Sequence, residues 1–478
     1  MMKLFPSLLI ALLCAACATP ALAPPPTTPP TTPPTAAPAP STSAPAPTAA
    51  PPRITLASAP RETLEGIDID RAQRRVLTLD LTREPNDIWD RIRRGFGMQD
   101  VPGPRTERFQ SSYLKQPAYL DRMFNRGARY LYYIVGELER RGMPTEIALL
   151  PMVESSFNPN AHSHARASGL WQFIPSTGRS YKLAQNRWVD ERRDVIASTN
   201  AALDYLADIY ERHGDWHLAL ASYNRGENGV GRAIMRNQAA GRSTDYVALE
   251  LPRETRDYLP KLQALKNIVA EPERYDIELP YVTNKQLLAT LPAPVGIDLA
   301  TAARYADMPL DEFLAFNPGF NLPAITSEGQ TLVVPADRAE TFAAQMETFK
   351  RSGKHWRSHF LGRNETLNSV AERYGLTVQD LQRINGLPAQ SRPPAGYALL
   401  VPGPGVNLAD ALAVSELLPA SARAAARIGV RIGPDRKAHR GKTQAGRGKA
   451  KAGKGRLAKT KGAGAPRRAA PMKKQSRR

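Results

Sequence analysis

Glu154 closes an apolar run, Ile147 to Val153, and stands just before an Asn158-Pro159 turn. A carboxyl at the end of an apolar segment is partly desolvated, which disfavours the anion and raises its pKa. An acid still protonated near neutral pH can protonate a leaving oxygen, and its conjugate base can then remove a proton. A loop of small residues follows, Ala161 to Ser168, leading into Gly169-Leu170-Trp171-Gln172-Phe173. Gly169 allows close approach of backbone to a ligand, and Gln172 offers both an amide donor and an acceptor. Further on, Ala221-Ser222-Tyr223-Asn224 places a phenol and an amide at the end of another helix. The other acids near this region, Asp190, Glu191 and Asp194, lie among Arg187, Arg192 and Arg193, where ion pairing or helix capping accounts for them. His162 and His164 form a His-x-His pair, but no third ligand stands at a suitable spacing, so they read as loop histidines. The two cysteines, Cys14 and Cys17, lie at the extreme N-terminus, so no thiol chemistry, disulfide or thiolate metal site is available further on.

Helices must carry these groups. From Glu84 to about Glu271 the apolar spacing is helical, and strand-like alternation is scarce. Ile88, Trp89, Ile92 and Phe96 mark one helix face. Tyr119, Met123, Tyr130, Ile134 and Leu138 mark one face of a longer helix, and Ile196, Leu203, Leu206 and Ile209 mark another. Gly142-Met143-Pro144 breaks the chain before a new helix at Thr145.

Four motifs in this order make a resemblance specific. Glu154-Ser155, Gly169-Leu170-Trp171-Gln172, Ala221-Ser222-Tyr223-Asn224 and Glu254-Thr255-Arg256-Asp257-Tyr258-Leu259-Pro260-Lys261, with a loop serine at Ser163, resemble the lytic transglycosylases of the goose-lysozyme-like superfamily, and within them the membrane-bound lytic murein transglycosylase D group. Ser222 stands where that group has Ala. The resemblance implies a mainly α protein, with a lysozyme-like helical catalytic domain at 76–275. It implies cleavage of the bond between MurNAc and GlcNAc in peptidoglycan glycan strands without water. Glu154 would protonate the glycosidic oxygen while the MurNAc N-acetyl oxygen assists at the anomeric carbon. Glu154 would then take the proton of the sugar's own 6-hydroxyl as a 1,6-anhydro ring closes. Ser155, Ser163, Gly169, Gln172, Tyr223, Asn224 and Tyr258 would bind or orient the sugar, and no metal or cofactor is implied. Trp171 and Phe173 could face sugar rings or pack in the core. Most glycosidases use two carboxylates, and none besides Glu154 has a motif-supported place. A hydrolytic muramidase on the same fold, or a non-catalytic peptidoglycan-binding protein, stands as the alternative.

Downstream the chain repeats itself. Leu299, Ala303, Met308, Leu310, Phe313, Phe316 and Asn317 align with Leu367, Ala371, Leu376, Val378, Leu381, Ile384 and Asn385. Each unit reads short helix, turn, short helix ending at Asn, then a Gly-led strand ending at Pro. His359-Phe360-Leu361 supplies an opening strand for the second unit, whereas the first lacks a clear one. This βααβ order resembles the LysM domain, which binds glycans containing N-acetylglucosamine. That implies a degenerate LysM-like module at 284–336 and a LysM domain at 356–403. Chemistry is then expected in residues 53–275 and wall affinity in residues 284–402, as separable parts.

The ends of the chain read as address and tether. Lys3 precedes an apolar run of signal-peptide length, Leu4 to Leu13, too short to span a bilayer. Cys14-Ala15-Ala16-Cys17 resembles a bacterial lipoprotein box, departing from it at Cys14, so residues 1–17 read as a lipoprotein-type signal with acylation at Cys17. An Ala21-Leu22-Ala23 site followed by Pro24 is the rival and would give a soluble periplasmic protein. Ala18 rather than Asp after the cysteine implies an outer-membrane lipoprotein facing the periplasm. Residues 18–60 are a linker rich in Pro, Thr and Ala, which cannot bury a core. Of the net charge of +20, +19 falls in residues 421–478, and the Lys/Arg/Gly/Ala tail within them, 434–478, is expected to be disordered. Residues 1–420 net about +1, so the folded part is not expected to bind nucleic acid. Protein partners leave no mark in the sequence.

Overall fold

The computed structural model describes residue 85 and residues 87–432. The expected signal segment with Cys17, the linker and the basic tail lie outside the described residues.

Helices α1 (Ile88–Arg94), α2 (Pro104–Leu114), α3 (Pro117–Ala128), α4 (Leu131–Arg140), α5 (Leu150–Ser155), α6 (Pro175–Ser180), α7 (Val195–His213), α8 (Trp216–Arg225), α9 (Glu227–Ala239) and α10 (Arg253–Ala270) build the first lobe. Aspartates set three of their starts: Asp87, Asp194 and Asp215 accept from the backbone N–H of Trp89, Ala197 and Leu218. The core is continuous, from Ile88, Trp89 and Ile92 of α1 through Leu203, Leu206 and Ile209 of α7 to Leu265 and Ile268 of α10. Two expectations need correction. The long helix through Tyr119 to Leu138 is two helices, α3 and α4: the chain turns at Arg129 and Tyr130, where the Tyr130 N–H bonds the Gly127 carbonyl, and Gly127 itself packs beneath the Phe157 ring. The helix expected at Thr145 begins as a 3-10 turn, Thr145–Leu149, before α5.

The two repeats fold alike. The first joins β1 (Leu288–Pro292) to β2 (Thr331–Pro335) antiparallel, with α11 (Leu299–Tyr305) and α12 (Leu310–Phe316) between them. So the first copy does have an opening strand; its Leu-Ala-Thr-Leu-Pro sequence lacks the alternation that would mark one, and pairing with β2 supplies what propensity does not. In the second, β3 (Arg357–Phe360) pairs with a later strand, Ala398–Val401, around α14 (Leu367–Arg373) and α15 (Val378–Ile384). The aligned asparagines perform one task. Asn317 exchanges two hydrogen bonds with the Val333 backbone, at 2.7 and 2.8 Å, and Asn385 does the same with Leu400, at 2.9 and 2.7 Å. Each amide takes the place of a strand residue and clasps the second helix to the closing strand.

Helices α13 (Ala339–Ser352), α16 (Leu408–Leu417) and α17 (Ala420–Ala425) add to these modules. Val414, Leu418 and Ala422 enter the first module's core, while Ala411 and Ala426 pack with Ile384 and Leu400 of the second. The modules also seat on the helical lobe through two buried arginines that have no carboxylate partner among the described residues. Arg193 donates to the carbonyls of Pro318, Gly319 and Phe320 and to Asn321 Oδ1. Arg187 donates to Asn385 Oδ1 at 2.5 Å and to Tyr397 and the Ala426 carbonyl. Burial pushes both guanidinium pKa values down to about 10.

Candidate active site

Glu154 sits in the last turn of α5, and the way that helix ends fixes it. Ser156 and Phe157 both adopt left-handed backbone, with φ of 53° and 55°. Such conformations cost energy in non-glycine residues and persist only where surroundings hold them. Here Ser156 Oγ bonds the Tyr119 hydroxyl at 2.6 Å, Arg126 Nε donates to the Ser156 carbonyl at 2.8 Å, and the Phe157 ring is buried against Gly127. Ser155 Oγ donates to the Pro151 carbonyl and, at 2.9 Å, to that of Leu170, tying α5 to the glycine-containing loop. Ser155 is therefore engaged in holding the helix.

The Tyr258 hydroxyl, carried by α10, donates a short hydrogen bond to Glu154 Oε1. Glu154 is half-buried, yet protein crowds its carboxyl enough that desolvation pushes the pKa up to about 7; the Tyr258 bond and the charge of Lys261 pull it down, and Glu254 adds a small upward push. Burial first, and then the Glu154 charge, raise the phenols of Tyr223 and Tyr258 well above their ordinary value, so both remain hydrogen-bond donors. Tyr223 donates to the Trp171 carbonyl at 2.7 Å.

The loop is closed by its own backbone. Gly169 N–H donates to the Ala161 carbonyl, Ser168 N–H to that of Phe173, and Ser163 N–H to that of Ala167, while Ser163 Oγ accepts from Ala167 N–H. Gln172 has φ of 49° and donates Nε2 to the Gly169 carbonyl at 2.8 Å and to that of Ala161 at 3.3 Å. No described donor meets its Oε1. The close approach that Gly169 permits is to protein: a Cβ there would lie 1.8 Å from the Arg192 carbonyl oxygen. The glycine is buried, and internal packing rather than a ligand explains it. Arg192 also donates to the Arg166 and Phe173 carbonyls and pairs with Asp190 at 2.7 Å. Asp194 caps α7 and Glu191 accepts from Ala184 N–H, so these three acids are accounted for by pairing and capping. Trp171 and Phe173 are buried, with Trp171 Nε1 donating to Thr199 Oγ1, which settles their alternatives for the core. His162 and His164 are exposed. Thr255 Oγ1 donates to Asn224 Oδ1 at 2.8 Å, leaving the Asn224 NH2 group without a described protein partner.

The structure thus gathers Glu154, Tyr223 and Tyr258 electrostatically, with Gln172 tied to Tyr223 through the loop that holds Trp171. Sequence reasoning did not find the Ser156-Phe157 helix stop, nor the Arg192 contacts that hold the loop. Thr255 and Lys261 stood within the fourth motif, and that was the available signal for both.

Residues 132–245 match the Transglycosylase SLT domain family. Residues 288–351 match a family described as Lytic transglycosylase MltD, LysM-like domain, and residues 362–402 match the LysM domain. The membrane-bound lytic murein transglycosylase D of Escherichia coli K12 is 37% identical over 314 residues, covering 63% of this chain and 70% of that protein. A membrane-bound lytic murein transglycosylase C of Sodalis glossinidius is 29% identical over 136 residues, covering 26% of this chain and 37% of that protein. With its motifs, its domain order and this extent of identity, the chain belongs to the membrane-bound lytic murein transglycosylase D family.

Proposed function

We propose that the protein is a peptidoglycan lytic transglycosylase in which Glu154 alone serves as acid and then base. The observation that carries this reading is a carboxyl with a pKa raised to about 7 and hydrogen-bonded by Tyr258, while the other carboxylate whose charge reaches it, Glu254, is exposed and has the smallest effect upon it. Retaining and inverting hydrolases place a second carboxyl about 5–10 Å away to form a glycosyl intermediate or activate water. With Glu154 as the one carboxyl that the protein crowds and desolvates, the substrate's N-acetyl oxygen and 6-hydroxyl fill those roles. Protonated Glu154 gives its proton to the glycosidic oxygen, the C–O bond breaks, and the resulting carboxylate accepts the 6-hydroxyl proton as that oxygen bonds the anomeric carbon. Gln172 Oε1 and the Asn224 NH2 group are the amide functions left to orient the N-acetyl group. Tyr258 positions the carboxyl and Tyr223 the loop. Mass spectrometry of digested sacculi tests the reading: 1,6-anhydro-MurNAc ends support it, and reducing ends produced with uptake of water would establish a hydrolase.

Tyr258→Phe separates positioning from mere packing. The Tyr258 hydroxyl lowers the Glu154 pKa against burial, so its loss raises that pKa further. The alkaline limb of the pH–rate profile should move to higher pH, and kcat should fall about tenfold as the carboxyl loses its fixed orientation. An unmoved limb with normal kcat would show that the hydrogen bond has no part in catalysis.

The LysM modules are proposed to hold glycan strands, and Cys17 to carry a lipid anchor at the outer membrane, as the Ala-Ala-Cys sequence suggests. No described helix is long and apolar enough to cross a membrane. Mature protein that begins at Pro24 without lipid, by intact mass, would replace this with a soluble periplasmic enzyme.

A further inference from the structure

A cavity of about 530 Å³ opens beside the candidate site, lined by Arg225, Arg232, Arg236, Arg256, Glu250 and Leu251, with Gly229 and Pro252 at its edge. It adjoins the candidate site through one contact. Asn224 and Thr255 share the hydrogen bond described above, and the next residue of each strand of chain, Arg225 and Arg256, lines the cavity. Arg232 and Arg236 lie one turn apart on α9, so their side chains share a face. Gly229 makes room for this arrangement: a Cβ there would lie 2.8 Å from Arg225 Cγ.

These guanidinium groups are poorly compensated. All four arginines are exposed. Arg225, Arg232 and Arg256 have no ion pair among the described residues, Arg236 reaches only the Glu250 carbonyl at 3.5 Å, and the Glu250 carboxylate is paired with Arg242 at 3.6 Å. Four like charges around one concavity repel one another, and an anion seated there relieves this. Carboxylates suit guanidinium groups because both are planar and can pair bidentately. The residues preceding the basic tail are close to neutral overall, so this concentration of charge is local.

We infer that the cavity holds carboxylates of the peptide attached to the muramic acid lactyl group, so that the enzyme favours peptide-bearing over peptide-free glycan strands. The inference rests on the proposed function, since it names a further part of that substrate. In the intact strand the lactyl carboxyl is taken up in the amide to the peptide, so the anionic groups are the several free carboxylates of that peptide, a short distance from the bond to be cut; an amidase removes these and leaves a single lactyl carboxylate directly on the sugar. A site beside the cleft, and not within it, is where that group would lie.

The test compares two substrates, glycan strands with their peptides and the same strands stripped by an amidase. Wild-type protein should show a higher kcat/KM on the peptide-bearing strands, mainly through KM, with the advantage shrinking as salt rises. In the double variant R232A/R236A the ratio of the two kcat/KM values should fall about tenfold. The charge-keeping R232K/R236K should retain part of the preference. Absence of a wild-type preference, or an equal loss on both substrates in the alanine variant, would overturn the assignment. An alanine variant that keeps its peptide preference but no longer sediments with phosphatidylglycerol vesicles would also overturn it, in favour of a membrane contact. Failure of the parent reading looks different: neither substrate would yield anhydro ends from the wild-type protein.

Discussion

Glu154→Gln should abolish turnover while leaving the fold and sacculus binding intact. Losing a general acid or base costs roughly 10²–10⁴ in rate, and one residue holding both roles should reach the upper end. Gln is nearly isosteric and its Oε1 can still accept from the Tyr258 hydroxyl, so the loss would be chemical and not architectural. Release of soluble anhydro-muropeptides from sacculi measures turnover, and pull-down by sacculi measures binding. Digestion within tenfold of wild type would remove Glu154 from the reaction.

The same substitution carries a stability signature. In the folded protein the Glu154 pKa is about 7, above its ordinary 4.5. The native state therefore binds more protons than the unfolded state between these values, and stability falls as pH rises through that window. Below 4.5 both states are protonated and nothing is lost; above 7 the full cost of holding a crowded carboxylate is present. That cost is at most about 3 kcal/mol and is reduced by the water that reaches a half-buried group. E154Q cannot ionise, so its Tm should exceed wild type at pH 8 and match it at pH 4. The activity of the wild type should follow the protonated fraction and fall as pH rises past about 7. A wild-type rate that climbs steadily to pH 9 would contradict a protonated Glu154 as the acid.

Much of this site is legible in residue order because its chemistry is local in sequence. Glu154 and its apolar approach lie in a 3-10 turn that runs directly into one short helix, and Gly169 to Gln172 lie in one loop. What sequence could not give are contacts between distant segments. Nothing in the spacing of Gly127 and Phe157 tells that the ring covers the glycine, nor that the expected long helix divides at Arg129 and Tyr130 into α3 and α4. The reason for Gly169 was also hidden, since a glycine reserved for ligand and one reserved for the Arg192 carbonyl look the same in a sequence. The repeats were visible in pattern, including the paired Asn317 and Asn385, but their closure by α16 and α17 depends on small residues such as Ala411, Ala422 and Ala426.

The seating of the modules also changes the expected separability of chemistry and wall affinity. Arg187 and Arg193 lose partners across the interface if the chain is cut near residue 280, and Val189 loses the cover of the first module's core. Arg192 and Arg193 are consecutive, with Arg192 holding the active-site loop and Arg193 holding the first module. The seam between the helical lobe and the modules therefore runs through adjacent residues of one loop, and truncation there is expected to disturb both.

Gly169→Ala should be the most damaging single methyl in the catalytic lobe. The position has φ of 87°, which costs about 1–2 kcal/mol for an L-residue. The added Cβ would also lie 1.8 Å from the Arg192 oxygen and 2.8 Å from its carbonyl carbon, well inside van der Waals contact. Backbone cannot swing aside as the end of a long side chain can, and here Arg192 is anchored by its bonds to Asp190, Arg166 and Phe173. The loop must therefore move, at a total cost of about 4 kcal/mol or more, among the large values reserved for such mechanisms. That corresponds to a fall in Tm of roughly 10 °C in a domain of this size. Gln172, which bonds the Gly169 carbonyl, would move with the loop, so activity should fall as well. Gly142→Ala is the internal control: its φ is 64°, but nothing lies within 4 Å of the added Cβ. It should cost only the backbone strain, about 1–2 kcal/mol. Equal shifts in Tm for the two variants, by thermal unfolding at pH 6, would show that the Arg192 contact yields freely and that Gly169 is required for its backbone conformation alone.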